Sequence, residues 1–120
     1  MKKIAIVAGE PNSINSEIIG KSWTKIKHNK KIFFVIGNFL LIKKQLEKKK
    51  IKVPLLKRNS IDEISSSKKL QIIDIPLNFK NPYKVKKTNS AVYVLKSINL
   101  AHELSINKKI LGFINCAIDK

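Results

Sequence analysis

Ile4-Ala5-Ile6-Val7-Ala8-Gly9-Glu10-Pro11-Asn12-Ser13 is the stretch that decides the fold of this 120-residue chain. Its first five residues are apolar, rich in β-branched side chains and free of alternation, which predicts a strand buried on both faces. The glycine and the proline then predict a loop. The apolar residues that follow have the spacing of a helix, and Asn12 or Ser13 is available as its cap; the stripe consists of Ile14, Ile18, Ile19, Trp23 and Ile26.

The strand and helix pattern recurs along the rest of the chain. Further strands are predicted at 32–36, 53–57, 70–75 and 110–114, and 76–88 is predicted to be a surface loop. Asn38 is placed to cap a helix from about Phe39 to Lys49, and Ser60 with Glu63 has the spacing of a capping box. A long helix follows the loop, with a predicted core face of Ala91, Val94, Leu95, Ile98, Ala101 and Leu104.

Strands that alternate with helices predict an α/β fold, with a mostly parallel sheet and helices on both faces. The loops after Ala8, Ile36 and Ile114 would then share one edge of the sheet, where ligands bind in such folds. No helix closes the sheet after the last predicted strand. We therefore expect residues 1–120 to form a single, truncated amino-terminal α/β segment of a larger enzyme domain.

The net charge of +17 admits two interpretations. The first is a small basic module that binds nucleic acid. The second is codon bias, because lysine, isoleucine and asparagine are the residues that AT-rich codons encode. Arg58 is the only arginine among 25 basic residues, whereas proteins that recognise nucleic acid rely on arginine for bidentate contacts. We expect no specific nucleic-acid partner.

Composition also bears on the compartment. No run of 18 or more apolar residues is present, which predicts no membrane span. Cys116 is the single cysteine, so no internal disulfide can form, and this suits a reducing cytoplasm. His28 and His102 are far apart in sequence and lack metal-ligand spacing with Cys116. No catalytic residue and no metal ligand is predicted from the residues of this chain.

The loop after the first predicted strand is the strongest candidate for a binding site. It places backbone N–H groups and short polar side chains at the start of a helix, an arrangement that suits a phosphate or a carboxylate. The same residues also suit an ordinary capped turn, and spacing alone does not separate the two. The loop lacks the glycine pattern of the Walker and dinucleotide-binding motifs.

The segment 9–17, Gly-Glu-Pro-Asn-Ser-Ile-Asn-Ser-Glu, resembles the amino-terminal motif of the 4-hydroxythreonine-4-phosphate dehydrogenases, Gly-Glu-Pro-Ala-Gly-Ile-Gly-Pro-Glu. The end of the chain, 115–120, resembles that family's Thr-Ala/Gly-Pro-Ile/Val-Asn/His-Lys, with agreement at Ile118 and Lys120. A Val-Ile-Gly-Asn turn at 35–38 also fits. Serine and asparagine replace two family glycines, at Ser13 and Asn15. The resemblance covers this whole chain but about the first third of the family's length.

The resemblance implies an isocitrate/isopropylmalate dehydrogenase-like fold and an NAD-dependent oxidation in pyridoxal phosphate (vitamin B6) biosynthesis. It implies a phosphorylated small-molecule substrate, a divalent metal held by histidines and a cytoplasmic homodimer. The family's metal and phosphate ligands correspond to positions beyond Lys120. Gly9, Glu10, Asn12 and Lys120 are the predicted substrate-binding residues. A non-catalytic remnant of the dehydrogenase is the other interpretation of the same resemblance.

Overall fold

The computed structural model describes residues 2–116. The strands are β1 (Lys3–Val7), β2 (Ile32–Gly37), β3 (Leu55–Arg58), β4 (Leu70–Asp74) and β5 (Gly112–Asn115). The helices are α1 (Asn15–Ile26), α2 (Phe39–Lys48) and α3 (Lys87–Ile106), with one short 3₁₀ turn at Ile61–Glu63. Each predicted strand and helix is present, and the observed bounds differ from the predicted ones by a few residues.

All strands pair in parallel in one sheet of order β3-β4-β2-β1-β5. The first strand lies between β2 and β5, with Ile4 opposite both Phe33 and Gly112. Ala5 and Val7 are fully buried. The prediction that the first apolar run forms an interior strand of a parallel sheet is therefore confirmed, and the absence of alternation was its signal.

Helices cover both faces of the sheet, as predicted. On one face, α1 and α2 bury Trp23 and Leu46 against a cluster that includes Val35 and Ile72. On the other face, α3 packs against a second cluster centred on β1 and β2; its buried members from the helix are Tyr93, Ala101 and Leu104. The faces therefore have separate apolar cores, each made by alternate residues of the same strands.

The predicted apolar stripe of α1 is partly wrong. Ile14 and Ile18 are 60% and 50% exposed, whereas the small or polar residues Asn15, Ser16 and Gly20 are buried. A Cβ atom at Gly20 would lie 2.6 Å from Leu46 Cδ2, so a larger residue there would displace the Leu46 side chain of α2. Close packing on α2 thus rotates α1 away from the face that hydropathy favoured.

The predicted core face of α3 is also partly wrong. Leu95 is 60% exposed and Ala91 is exposed, while Val94 and Ile98 are half-buried. The buried side consists of Ser90, Tyr93, Ser97, Ala101 and Leu104. Apolar residues occur on several sides of this helix, so hydropathy did not single out the buried one. None of the helices in residues 2–116 is long and apolar enough to cross a membrane.

Candidate functional site

Two neighbouring strands of the sheet, β2 and β4, are followed by chain segments that turn to opposite faces of the sheet. The strand β2 leads into α2 on one face, whereas β4 leads, through the irregular segment 75–86, into α3 on the other. In open parallel sheets a crevice forms where neighbouring connections part in this way, and ligands bind there. The loop after β1 borders the same edge. The geometry thus places the candidate loop beside the position where an α/β fold offers a binding site.

The loop after β1 begins with a backbone conformation that favours glycine. Gly9 has a φ of 77°, in the left-handed region, and is buried. Glu10 turns back on the loop, since its Oε1 accepts a hydrogen bond from Asn12 N at 3.2 Å. The Ser13 hydroxyl donates to Glu10 O at 2.6 Å. No hydrogen bond to the second carboxylate oxygen of Glu10 is found among residues 2–116.

The predicted cap of α1 is not formed as expected. Ile14 occupies the N-cap position and no side chain caps it. Ser13 lies one residue earlier, where its Oγ accepts from Asn15 N at 3.1 Å. No hydrogen bond within residues 2–116 uses the backbone N–H of Ser16 or Glu17. The backbone N–H groups in the first turn of the helix could therefore donate hydrogen bonds to an anionic group.

Asn12 is used to join two distant parts of the chain. Its Nδ2 donates to Val85 O at 2.8 Å, and its Oδ1 accepts from Val85 N at 2.7 Å. This paired contact fixes the loop after β1 against the segment that precedes α3. Asn12 therefore positions the loop. Its side-chain amide is already hydrogen-bonded to Val85, so a ligand could use only the remaining donor and acceptor positions of that amide.

Replacing Asn12 with alanine is expected to loosen the contact between the loop after β1 and residues 75–86. Two hydrogen bonds are lost from a partly exposed contact, which corresponds to a decrease of about 1–2 kcal/mol in the free energy of unfolding. Amide hydrogen exchange should accelerate at Gly9, Glu10 and Val85 together. The matched control is Asn29→Ala, in an exposed turn at the opposite edge of the sheet. Unchanged exchange at Val85 in the Asn12 variant would contradict the coupling.

Gln45 of α2 is the centre of the polar contacts behind the loop. It is 2% exposed, and its Nε2 donates to Pro11 O at 2.7 Å and to Pro82 O at 2.6 Å. Its Oε1 accepts from the Ser16 hydroxyl. The side-chain amide of Gln45 thus forms hydrogen bonds with polar groups of the loop after β1, of the first turn of α1 and of the segment 75–86. These contacts fix the loop after β1 through protein atoms alone, without a ligand.

A second set of contacts holds together the chain segments that border the crevice between β2 and β4. Asn38 caps α2 as predicted, with Oδ1 accepting from Leu41 N at 2.9 Å, and its Nδ2 donates to Ile75 O at 2.8 Å. The N–H of Asn38 donates to the Tyr93 hydroxyl at 2.8 Å. Burial raises the pKa of Tyr93, so this hydroxyl stays protonated. Asp74 Oδ1 accepts from Phe39 N at 2.8 Å, at the start of α2.

Of the predicted substrate-binding residues, Gly9, Glu10 and Asn12 lie together in this loop, and Lys120 lies outside the described residues. Gln45 and Asp74 were not predicted. Asp74 ends β4 at the carboxyl edge of the sheet. The signal that could have identified it is a polar side chain directly after a buried strand. Gln45 lies four residues after Leu41 and three after Ile42 in the same helix. This spacing puts its side chain on the same face as the two apolar residues, and it was the signal that Gln45 is buried.

The remaining chemically active side chains are dispersed. Burial raises the pKa of the Cys116 thiol, which disfavours the nucleophilic thiolate. His102 is exposed and contacts Phe113 edge to face, with ring centroids 5.2 Å apart, and His28 is exposed in the turn after α1. Between Lys2 and Cys116, no group of three His, Cys, Asp or Glu side chains is placed to hold a metal ion.

Comparison with solved structures identifies the fold. The chain is similar to 4-hydroxythreonine-4-phosphate dehydrogenases of Burkholderia phymatum (TM-score 0.88, 17% identity) and Klebsiella pneumoniae (TM-score 0.82, 21% identity). A Salmonella typhimurium protein assigned the same activity gives a TM-score of 0.80 at 22% identity. All three alignments cover 100% of this chain.

The same alignments cover 37–39% of those longer chains, as expected for an amino-terminal portion. No protein-family model and no curated protein matches the chain. The chain thus has the α/β fold found in these dehydrogenases and spans less than two fifths of their length.

Proposed function

We propose that this chain is the amino-terminal part of an NAD-dependent 4-hydroxythreonine-4-phosphate dehydrogenase, and that the loop after β1 forms one wall of its substrate site. The observation that carries the proposal is the agreement of two independent features. The Gly-Glu-Pro motif at 9–11 resembles the family's motif in sequence, and the whole chain superimposes on solved dehydrogenases of that name. The enzyme's activity belongs to a polypeptide longer than the residues described.

The contacts of the loop suggest how it would serve this reaction. The substrate's hydroxyl is oxidised to a ketone as a hydride passes to NAD and a proton is released, and the product then loses carbon dioxide. Gly9 brings backbone close to the ligand because it has no side chain. Glu10 keeps one carboxylate oxygen on Asn12 N and offers the other to a substrate hydroxyl. Donors at the start of α1 favour the anionic groups of the substrate.

The cofactor and the metal of the resembled family are part of the proposal for the whole enzyme. The described residues do not supply a metal-binding group. The resemblance places the ligands of a divalent metal at positions beyond Lys120. A homodimer with sites between subunits and a cytoplasmic location complete the proposal; both follow from the resemblance.

Binding of the substrate can be mapped on the chain itself. We expect 4-hydroxythreonine phosphate to shift the amide resonances of Gly9, Glu10, Asn12 and the first turn of α1 in a two-dimensional NMR titration. O-phosphohomoserine, which keeps the phosphate on the C4 oxygen and lacks the reacting hydroxyl at C3, should produce smaller shifts at Glu10. Glu10→Gln is the matched variant, because it keeps the shape of the side chain and removes its charge. Shifts confined to lysine-rich surfaces away from the loop would overturn the proposed site.

The 120-residue chain alone is expected to show no dehydrogenase turnover. The metal and phosphate ligands of the resembled family correspond to positions beyond Lys120. The measurement is NADH formation from 4-hydroxythreonine phosphate, with a divalent metal added and with a solved dehydrogenase from the comparison as the positive control. Turnover above background by the purified chain would show that residues 1–120 suffice for catalysis.

Binding to nucleic acid is expected to be weak and insensitive to sequence. Dispersed lysines neutralise phosphates but do not distinguish bases, so the affinity should fall steeply as salt rises. Fluorescence anisotropy with two unrelated oligonucleotides of equal length, at low and at physiological salt, measures both properties. Tight binding to one sequence at physiological salt would favour the interpretation as a nucleic-acid-binding module.

A further inference from the structure

Gln45 of α2 contacts the candidate loop at a peptide unit that also contacts Glu10. The Nε2 of Gln45 donates to Pro11 O at 2.7 Å, and the N–H of Asn12 donates to Glu10 Oε1 at 3.2 Å. That carbonyl and that N–H belong to the same peptide bond, which is planar and trans. They therefore point in opposite directions, one toward the buried glutamine and the other toward the carboxylate of Glu10.

The side chain of Gln45 is itself held in place. It is buried, its Nε2 also donates to Pro82 O at 2.6 Å, and its Oε1 accepts from the Ser16 hydroxyl. Rotation of this amide would leave buried polar groups without partners, which is strongly unfavourable. The peptide unit between Pro11 and Asn12 is oriented in turn, because turning it would break its hydrogen bond with Gln45.

The carboxylate of Glu10 depends on this peptide unit. Among residues 2–116, the hydrogen bond from Asn12 N is the contact found for that carboxylate, whereas the Ser13 hydroxyl holds the Glu10 backbone separately. A glutamate side chain has several rotatable bonds, so its carboxylate would sample many positions if the Asn12 N–H turned away. The orientation of the carboxylate thus depends on a glutamine buried behind the loop.

We propose that Gln45 is a positioning residue that determines the selectivity of this site for a substrate hydroxyl. Gln45 fixes the peptide unit, the peptide unit fixes the Glu10 carboxylate, and the carboxylate accepts a hydrogen bond from the hydroxyl. This inference rests on the proposed function, because it requires that the loop after β1 bind the hydroxylated amino-acid phosphate. Gln45 acts through the loop and does not contact the substrate.

Two ligands that differ by one hydroxyl test the proposal on the 120-residue chain. NMR titration gives the dissociation constants of 4-hydroxythreonine phosphate, which has the C3 hydroxyl, and of O-phosphohomoserine, which lacks it. A hydrogen bond to a charged group corresponds to about tenfold in affinity, so the unchanged chain should prefer the hydroxylated ligand by about that ratio. In Gln45→Leu the two constants should agree within about twofold. A role in stability alone would weaken both ligands equally and preserve the ratio.

Gln71→Leu is the matched control. Gln71 is a buried glutamine of β4 whose side chain is hydrogen-bonded to the backbone of Ser65 and to Arg58, and none of these groups belongs to the candidate loop. The control loses the same kinds of buried contact, so its stability should decrease comparably while the ratio of about tenfold is preserved. Both variants are measured in sucrose, which favours the folded state, and the amide spectrum establishes folding.

Two further variants follow the same series of contacts. Ser16→Ala is milder, because it removes the donor to Gln45 Oε1 and keeps the amide that donates to Pro11 O. It should lower the ratio by about half. Glu10→Ala removes the carboxylate and should abolish the preference. Adding Gln45→Leu to Glu10→Ala should then change the ratio no further, because both substitutions act on one contact.

The outcomes separate this inference from the proposed function. A ratio of about tenfold that persists in Gln45→Leu, or in Ser16→Ala if the leucine variant does not fold, would overturn the inference and leave the proposed function standing. Equal loss of the ratio in Gln71→Leu would overturn the inference as well, because the effect would then follow from stability. A failure of the unchanged chain to bind either ligand at the loop would overturn the proposed function, and the inference with it.

Discussion

Replacing Gln45 with leucine is expected to lower the free energy of unfolding by about 3 kcal/mol. The substitution leaves the carbonyls of Pro11 and Pro82 and the hydroxyl of Ser16 without their partner, in a place where the side chain is 2% exposed. Each buried polar group that loses its partner costs about 1–3 kcal/mol, and relaxation toward water reduces the sum. Urea unfolding followed by circular dichroism measures the effect.

Lys44→Leu is the control for this substitution. Lys44 is the preceding residue of the same helix and is exposed, so the variant has the same new side chain without the loss of buried contacts. It should change the free energy of unfolding by less than about 0.5 kcal/mol. Equal stability of the Gln45 and Lys44 variants would mean that the buried amide does not hold the loop after β1.

Replacing Gly37 with alanine is expected to cost about 2 kcal/mol or more. An added Cβ atom would lie 2.9 Å from Ala8 Cβ, 2.9 Å from the Tyr93 hydroxyl oxygen and 3.1 Å from Ile42 Cδ1. Forcing an extra methyl group into a packed interior commonly costs about 1–3 kcal/mol. Displacement of Tyr93 would also weaken its hydrogen bond with Asn38 N. Thermal and urea unfolding should both report the loss.

Gly112 provides the matched control, because it is also a strand glycine. A Cβ atom there meets nothing within 4 Å among the described residues. Gly112→Ala is therefore expected to be neutral, or stabilising by a few tenths of a kcal/mol, because alanine loses less conformational entropy than glycine. A Gly37 variant as stable as the Gly112 variant would show that β1, β2 and α3 can separate without strain.

Sequence predicted best those features that depend on neighbours along the chain. Asn38 could be identified as a cap because its partner, Leu41 N, is three residues away. Asn12 has the same side chain before the first helix, but it pairs with Val85, 73 residues away in sequence. No local pattern distinguishes the two asparagines. The prediction for Asn12 therefore failed as a cap, although the loop was placed correctly.

The candidate site shows the same division. The buried strand followed by glycine and glutamate was enough to place Gly9 and Glu10 at the carboxyl edge of the sheet. The support behind them, Gln45 on α2 and the buried turn at Pro82 and Val85, is contributed by segments that meet the loop only in the folded chain. Long-range packing also decided which sides of α1 and α3 are buried, which hydropathy alone did not.

The order of the strands has a consequence for synthesis on the ribosome. Residues of β1 emerge first, yet one of their two partners, β5, begins at Gly112. At about 5–20 residues per second, roughly 5–20 seconds separate the translation of these two strands. During that interval the side of β1 that will meet β5 has no strand to pair with, although Ala5 and Val7 belong to the most buried part of the final sheet. Nascent chains paused before Gly112 should therefore engage chaperones that recognise exposed apolar strands, and release should coincide with the appearance of β5.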